Sequence, residues 1–319
     1  MRKWIGAATA VAGMVFAVAW PSLALSHAAP GAEPVRTHVT ANGLVADLYV
    51  PADAKGRTPA VIVLGGSEGG LGAAAARDAR LLAQHGYVTL QLAYFDAPGL
   101  PKDLGLIPLE YFRTAVDWLG AQPGVDPRRI GLEGGSIGSE VALAVAAHDR
   151  RIKVVVATMP TGVVWPGISH TSGDPPSTFT LGGKPLPYLP YGGPFTSVFD
   201  LYAKGLKALD QHPDAVIPVE RIAVPVMLVC GKSDTLWPSC PMAEQVAARL
   251  TARRFKPPVE LLEYADAGHA VFGGSWNPDA ATAAGWLELG GTLEGNRAAR
   301  QASWPRSVTF IDKVLRPDR

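Results

Sequence analysis

The stretch that most restricts how this chain can fold is Gly134-Gly135-Ser136-Ile137-Gly138. The short strand-forming run Arg129-Ile130-Gly131-Leu132-Glu133 precedes it, and the helix-forming Val141-Ala142-Leu143-Ala144-Val145-Ala146-Ala147 follows it. A Gly-x-Ser-x-Gly pentapeptide between a strand and a helix is the nucleophile-elbow pattern. The turn is so tight that a side chain two positions before or after the serine would collide across it, so positions 134 and 138 need glycine. The turn lifts the Ser136 hydroxyl above the edge of a sheet and aims the Ile137 amide at the oxygen of an attacked carbonyl. Because 35 of the 319 residues are glycine, the pentapeptide alone is weak and its surroundings must carry the reading. The competing reading is a glycine-rich helix start that Ser136 merely caps.

The surroundings fit. Residues 35–39 and 44–50 read as two short strands joined across Asn42-Gly43, a hairpin signal. Ala60-Val61-Ile62-Val63-Leu64 is a continuous apolar run, as expected of a strand buried on both faces. A glycine-rich loop, 65–71, leads into a helix expected at about 73–85. It lacks the Lys-Ser/Thr ending of a phosphate-binding loop and the glycine spacing of a dinucleotide site. After the third strand it matches the place of a second oxyanion-binding amide, assigned to Ser67 with Gly66 and Glu68 as alternatives. Strands are then expected at 88–94, 129–133, 152–157, 225–230 and 259–264, and helices at 108–122, 137–148, 242–253 and 295–314. This alternation implies an α/β class: a doubly wound, mostly parallel sheet with an N-terminal antiparallel hairpin.

In the helix after Ser136, positions 137, 141, 144, 145 and 148 form one stripe facing the sheet, which leaves His148 at a surface C-terminus. Between 159 and 219 the periodicity fails, and prolines and glycines are interleaved with Trp165, Phe179, Tyr188, Tyr191, Phe195, Phe199 and Tyr202. A helix at about 199–210 is expected inside it. The segment reads as a lid whose rings line an acyl pocket, or as an insertion whose rings only pack it against the body.

A serine hydroxyl needs a histidine to take its proton and a carboxylate to orient that histidine, in the chain order serine, acid, histidine. Of the seven histidines, His27, His38, His85, His148, His170, His212 and His269, only His269 follows a late strand in a short glycine-flanked loop. Asp234, just past the strand at 225–230, sits where ligands bind in such sheets. Asp266 competes, but it lies three residues from His269 on one loop and is badly placed to reach the ring from behind. The bland role for Asp234 is a turn or helix cap.

The N-terminus reads as a secretory signal peptide, residues 1–28, cut near Ser26 or Ala28. Arg2 and Lys3 precede an apolar run, Pro21 breaks it, and small residues follow. A retained membrane anchor is the alternative. Export favours a Cys230–Cys240 disulfide, closing the loop that carries Asp234, over two buried thiols. The formal net charge of +1 gives no electrostatic footprint for nucleic acid. The absence of clustered ligand spacing implies no metal and no cofactor.

With these residues in view, the chain resembles the C-terminal hydrolase domain of the acyl-CoA thioesterase and bile acid-CoA:amino acid N-acyltransferase family, within the α/β-hydrolases. The likeness runs through 65–71, Ile107-Pro108-Leu109-Glu110-Tyr111-Phe112, 134–140, Ile217-Pro218-Val219-Glu220, Asp234-Thr235-Leu236-Trp237-Pro238-Ser239, His269 and 298–315 with Trp304-Pro305. Dienelactone hydrolases are a more distant resemblance. The family likeness implies Ser136, Asp234 and His269 as nucleophile, acid and base, and acyl transfer from a thioester to water or an amine. Animal members carry a β-sandwich domain ahead of the hydrolase, for which there is no room here. Many of them also have cysteine where this chain has Ser136, and serine suits hydrolysis better than amine transfer. The expectation is one hydrolase domain, 34–319, of a secreted or periplasmic serine hydrolase acting on a small ester or thioester, with no membrane attachment after cleavage. The alternatives are a cytosolic acyl-CoA thioesterase or N-acyltransferase, and an inactive hydrolase-fold binding protein.

Overall fold

The computed structural model describes residues 31–169, 173, 175–274 and 278–317, so the expected signal peptide, His27 and His170 lie outside the described residues. In chain order the elements are β1 (Val35–Val39), β2 (Val45–Val50), β3 (Thr58–Leu64), α1 (Ala73–Gln84), β4 (Val88–Ala93), β5 (Ile107–Pro108), α2 (Leu109–Gly120), β6 (Val125–Gly135) and α3 (Ile137–His148). They continue with β7 (Ile152–Thr158), β8 (Phe179–Leu181), β9 (Lys184–Pro185), α4 (Val198–Leu206), β10 (Val226–Gly231), α5 (Ser239–Ala252), β11 (Val259–Tyr264), α6 (Ala280–Glu288) and α7 (Leu293–Leu315).

An eight-stranded sheet runs in the order β1-β2-β4-β3-β6-β7-β10-β11. The β1/β2 and β2/β4 pairs are antiparallel and every later pair is parallel. The apolar runs behave as strands buried on both sides should. Ala60, Ile62 and Leu64 of β3 join one core with α2, α3 and α5, while Val61 and Val63 join the other with α1 and α7. Helix α1 buries Ala75, Asp78, Ala79, Leu82 and Ala83, the spacing of a single helical face. Among the described residues no helix is long and apolar enough to cross a membrane.

The expected N-terminal hairpin is present, β1 antiparallel to β2, and its connection takes the form of a 3-10 turn, Ala41–Gly43, in which Asn42 and Gly43 have positive φ angles of 56° and 75°. Other expectations are corrected. Helix α3 has no exposed face: Ile137 through Ala147 are all buried, because the 159–219 insertion covers the side turned away from the sheet. Three of the insertion's rings turn inward, with Trp165 and Phe179 fully buried and Tyr202 nearly so, while Phe195 is 56% exposed. Among the described residues of that segment, Met159 borders the cavity at Ser136, and Trp165, Phe179 and Tyr202 pack the insertion against the body, the second of the two roles open to its rings. Helix α6, which the sequence reading missed, also lines that cavity.

Candidate active site

Strand β6 ends at Gly135 and α3 begins at Ile137, so Ser136 alone makes the turn, with φ 57° and ψ −125°. That conformation is costly for a residue with a Cβ, on the order of 1–3 kcal/mol, and persists only where its surroundings hold it. Here the Ser136 amide donates to the Thr158 carbonyl at 2.9 Å, and its own carbonyl accepts from the Ser139 amide at 2.9 Å. A Cβ at Gly134 would run into the Gly138 carbonyl, and one at Gly138 into the carbonyls of Leu64 and Gly65. The collision anticipated from the sequence is thus with backbone, which cannot swing aside.

Asp234 and His269 meet from two other loops. His269 Nδ1 lies 2.8 Å from Asp234 Oδ2, and both residues are buried, at 7% and 6% exposure. The other oxygen, Asp234 Oδ1, accepts from the Leu236 amide at 2.9 Å and the Trp237 amide at 3.2 Å. This fixes the carboxylate's orientation as well as its position. Asp266 is exposed and contributes its backbone carbonyl to the Thr292 amide. A disulfide joins Cys230, at the end of β10, to Cys240, at the start of α5, and so closes the loop that carries Asp234.

Ser136 and His269 border one cavity of about 610 Å³, together with Gly66, Ser67, Leu236, Phe272, Trp286 and Leu289. The glycine-rich loop reaches it from β3 and is held from below by the Tyr94 hydroxyl, which donates to the Gly65 carbonyl at 2.6 Å. Ile137, as the first residue of α3, has an amide with no acceptor inside the helix. The chain therefore brings together Ser136, His269 and Asp234, with Ile137 beside the serine and Ser67 on the facing loop.

Other parts of the site were not legible in the sequence. Asn296, fully buried on α7, accepts from the Gly268 amide at 2.9 Å and donates to the Gly290 carbonyl at 3.1 Å, pinning the loop before His269. Arg300, also on α7, donates to the carbonyls of Ala270, Phe272 and Gly274 just after it. Its guanidinium lies over the Trp286 ring at 4.7 Å, and burial lowers its pKa to about 10. A ladder of rings, Trp165, Tyr202 and Trp237, ends edge-on against the His269 ring, 5.8 Å between centroids. Two glutamates flank the serine. Burial pushes both well above the usual carboxylate range, and for Glu133 the neighbouring Asp78 charge adds to the effect.

Comparison with known proteins adds relatives to this geometry. The family profile described as BAAT / acyl-CoA thioester hydrolase C terminal matches residues 107–317. Human acyl-coenzyme A thioesterase 6 is 29% identical over 289 residues, 89% of this chain and 65% of the relative. Mouse peroxisomal succinyl-coenzyme A thioesterase is 30% identical over 251 residues, 76% of this chain and 55% of the relative. The chain thus spans less than two thirds of the length of either. Among solved structures, a putative dienelactone hydrolase from Klebsiella pneumoniae superposes with TM-score 0.54 at 18% identity, covering 88% of this chain and 98% of that one. A puromycin-hydrolyzing peptidase of Mycobacterium tuberculosis gives TM-score 0.56 at 14% identity, covering 89% and 39%. At those identities the structural likeness is one of fold, the α/β-hydrolase fold.

Proposed function

The chain belongs to the BAAT / acyl-CoA thioester hydrolase C-terminal family, and on that premise we propose that it is a serine hydrolase that cleaves carboxylic esters or thioesters through Ser136, His269 and Asp234. The observation that carries this reading is the strained Ser136 on the wall of the cavity that also holds a histidine braced by a buried carboxylate. His269, oriented through Nδ1, takes the serine proton on Nε2 as Oγ adds to the acyl carbon. The amides of Ile137 and Ser67 receive the negative charge that develops on the carbonyl oxygen, a contribution of about 3 kcal/mol per donor. The imidazolium then protonates the departing alkoxide or thiolate. In the second half the same ring deprotonates the water that releases the acid from Ser136.

The relatives' names favour a second reading within the same chemistry, an acyl-CoA thioesterase. Export, which the N-terminal pattern and the Cys230–Cys240 bridge support, favours simple esters or thioesters, because coenzyme A thioesters are intracellular metabolites. Assaying the protein without residues 1–28 on acyl-CoAs and simple esters of matched acyl length separates the two. Preference for simple esters fits the first reading, and preference for acyl-CoA the second. Ser136→Ala is expected to lose at least about 10⁴-fold in kcat on either series and to lose labelling by a fluorophosphonate. No turnover and no labelling of the unaltered protein would instead mark a binding protein that has kept the fold.

A further inference from the structure

Glu133 lies three residues before Ser136, at a position where the sheet calls for an apolar side chain. Its register partners on the two neighbouring strands are Val63 of β3 and Val156 of β7, and both are fully buried. Glu133 is itself only 4% exposed: its Oε2 is closed off from solvent with no hydrogen-bond partner among the described residues, and the side chain meets the cavity by its remaining surface. An unpartnered carboxyl oxygen in such a row is costly, about 1–3 kcal/mol. A valine at 133 would complete the row at no such cost.

The residue does not serve the bracing network beside it. Asp78 of α1 accepts from the Gly274 amide at 3.2 Å, and Arg300 of α7 donates to the carbonyls of Ala270, Phe272 and Gly274, so both hold the loop that follows His269. Glu133 makes none of these contacts, yet it borders the same cavity as Ser136. The other titratable groups that border this cavity are Glu68, Arg77, Asp78, His269 and Arg300, and of these the Asp78 charge acts on Glu133. Burial and the Asp78 charge favour the protonated carboxyl, which can donate one hydrogen bond.

We propose that Glu133 donates a hydrogen bond to an oxygen in the acyl chain of the substrate, so that the enzyme selects esters or thioesters of oxygen-bearing acyl groups over those of plain alkyl chains. The inference rests on the reading of Ser136 as the nucleophile, since the acyl group esterified there stays in this cavity through both halves of the reaction. The apolar part of the lining, Leu64, Met159, Leu236, Phe272 and Trp286, fits the carbon part of such a chain.

The test uses p-nitrophenyl esters with an ether oxygen at chain position 3, 4 or 5, each paired with the ester that has a methylene there. An ether oxygen accepts a hydrogen bond and cannot donate one, and it changes the shape very little. The quantity read is the ratio of kcat/KM, ether over methylene, in the unaltered enzyme and in Glu133→Val and Glu133→Gln. At one chain position the ratio is expected to be about tenfold higher in the unaltered enzyme than in Glu133→Val, the worth of one hydrogen bond. Glu133→Gln, which keeps a donor, stays within about threefold of the unaltered enzyme. The same ratio measured for hydroxide-catalysed hydrolysis removes the ether's electronic effect and serves as the reference if Glu133→Val does not fold. A ratio equal to that reference at all three positions, or unchanged in Glu133→Val, overturns the inference while ester turnover that depends on Ser136 leaves the hydrolase reading intact. Absence of turnover on every ester and thioester would fail the hydrolase reading first.

Discussion

Ser136 and His269 border one cavity, but Ser136 and the His269–Asp234 pair are held in place by different means. Ser136 is fixed by its own neighbours in sequence: a strand that ends, a helix that begins, and two glycines that let backbone approach backbone. Asp234 and His269 are fixed by distant parts of the chain. The Asp234 loop is closed by a disulfide, and the His269 loop is pinned by Asn296 and Arg300 from α7. Behind them the ring ladder from the insertion supports Trp237 and the His269 ring. The difference teaches that the first half cannot be altered without breaking the turn itself, whereas the second can be loosened in stages.

Gly138→Ala should give the largest effect. Its Cβ meets two backbone carbonyls, so the turn must deform, costing about 3 kcal/mol. Urea unfolding should show that loss, and kcat should fall with it because the Ile137 amide moves too. A stable variant with normal kcat would break the comparison. Replacing both Cys230 and Cys240 by Ala should cost about 2–3 kcal/mol, the loop-closure contribution of a bridge spanning ten positions. Because the Leu236 and Trp237 amides still hold Asp234, a folded variant should keep most of its kcat well below its melting temperature. Loss of activity without loss of stability would mean that the bridge acts on the acid directly.

A pH-dependent effect, small near the ordinary glutamate range and growing above it, is expected at Glu140, on the other flank of Ser136. Its Oε1 accepts from the Trp165 amide at 3.3 Å, tying α3 to the insertion, and burial raises its pKa well above 4.5. The folded state therefore keeps a proton that the unfolded state releases above the ordinary glutamate range, and stability declines as pH rises from there toward the folded-state value. Glu140→Gln cannot titrate. Melting temperature against pH should fall less steeply for this variant above about pH 5, with near-equal stability below the ordinary glutamate range. Parallel curves would show that Glu140 ionises in the folded protein.

The order of strands and helices was readable because burial on both faces leaves continuous apolar runs such as 60–64, and the helices between them carry their own spacing. The elbow was readable because its constraint is steric and local. Asp234 and His269 could be chosen by position in the chain, since the fold brings the carboxyl ends of its strands to one rim. The role of the insertion's rings stayed open between lining a pocket and packing on the body, because aromatic residues look alike in sequence whether they face a cavity or the core. Their direction depends on what is packed beside them, here α3 and Trp237.

What the sequence determined by itself was the fold class, the tight turn at Ser136 and the residues available for a proton relay, since these follow from steric rules acting over a few positions. Only the tertiary structure decided that α6 lines the cavity, that α7 pins the His269 loop, and that Glu133 borders the cavity with an oxygen left unpartnered. Those outcomes depend on contacts between residues far apart in the chain. No local pattern encodes them, because the cost of burying a polar group is set by whichever partners the finished fold delivers.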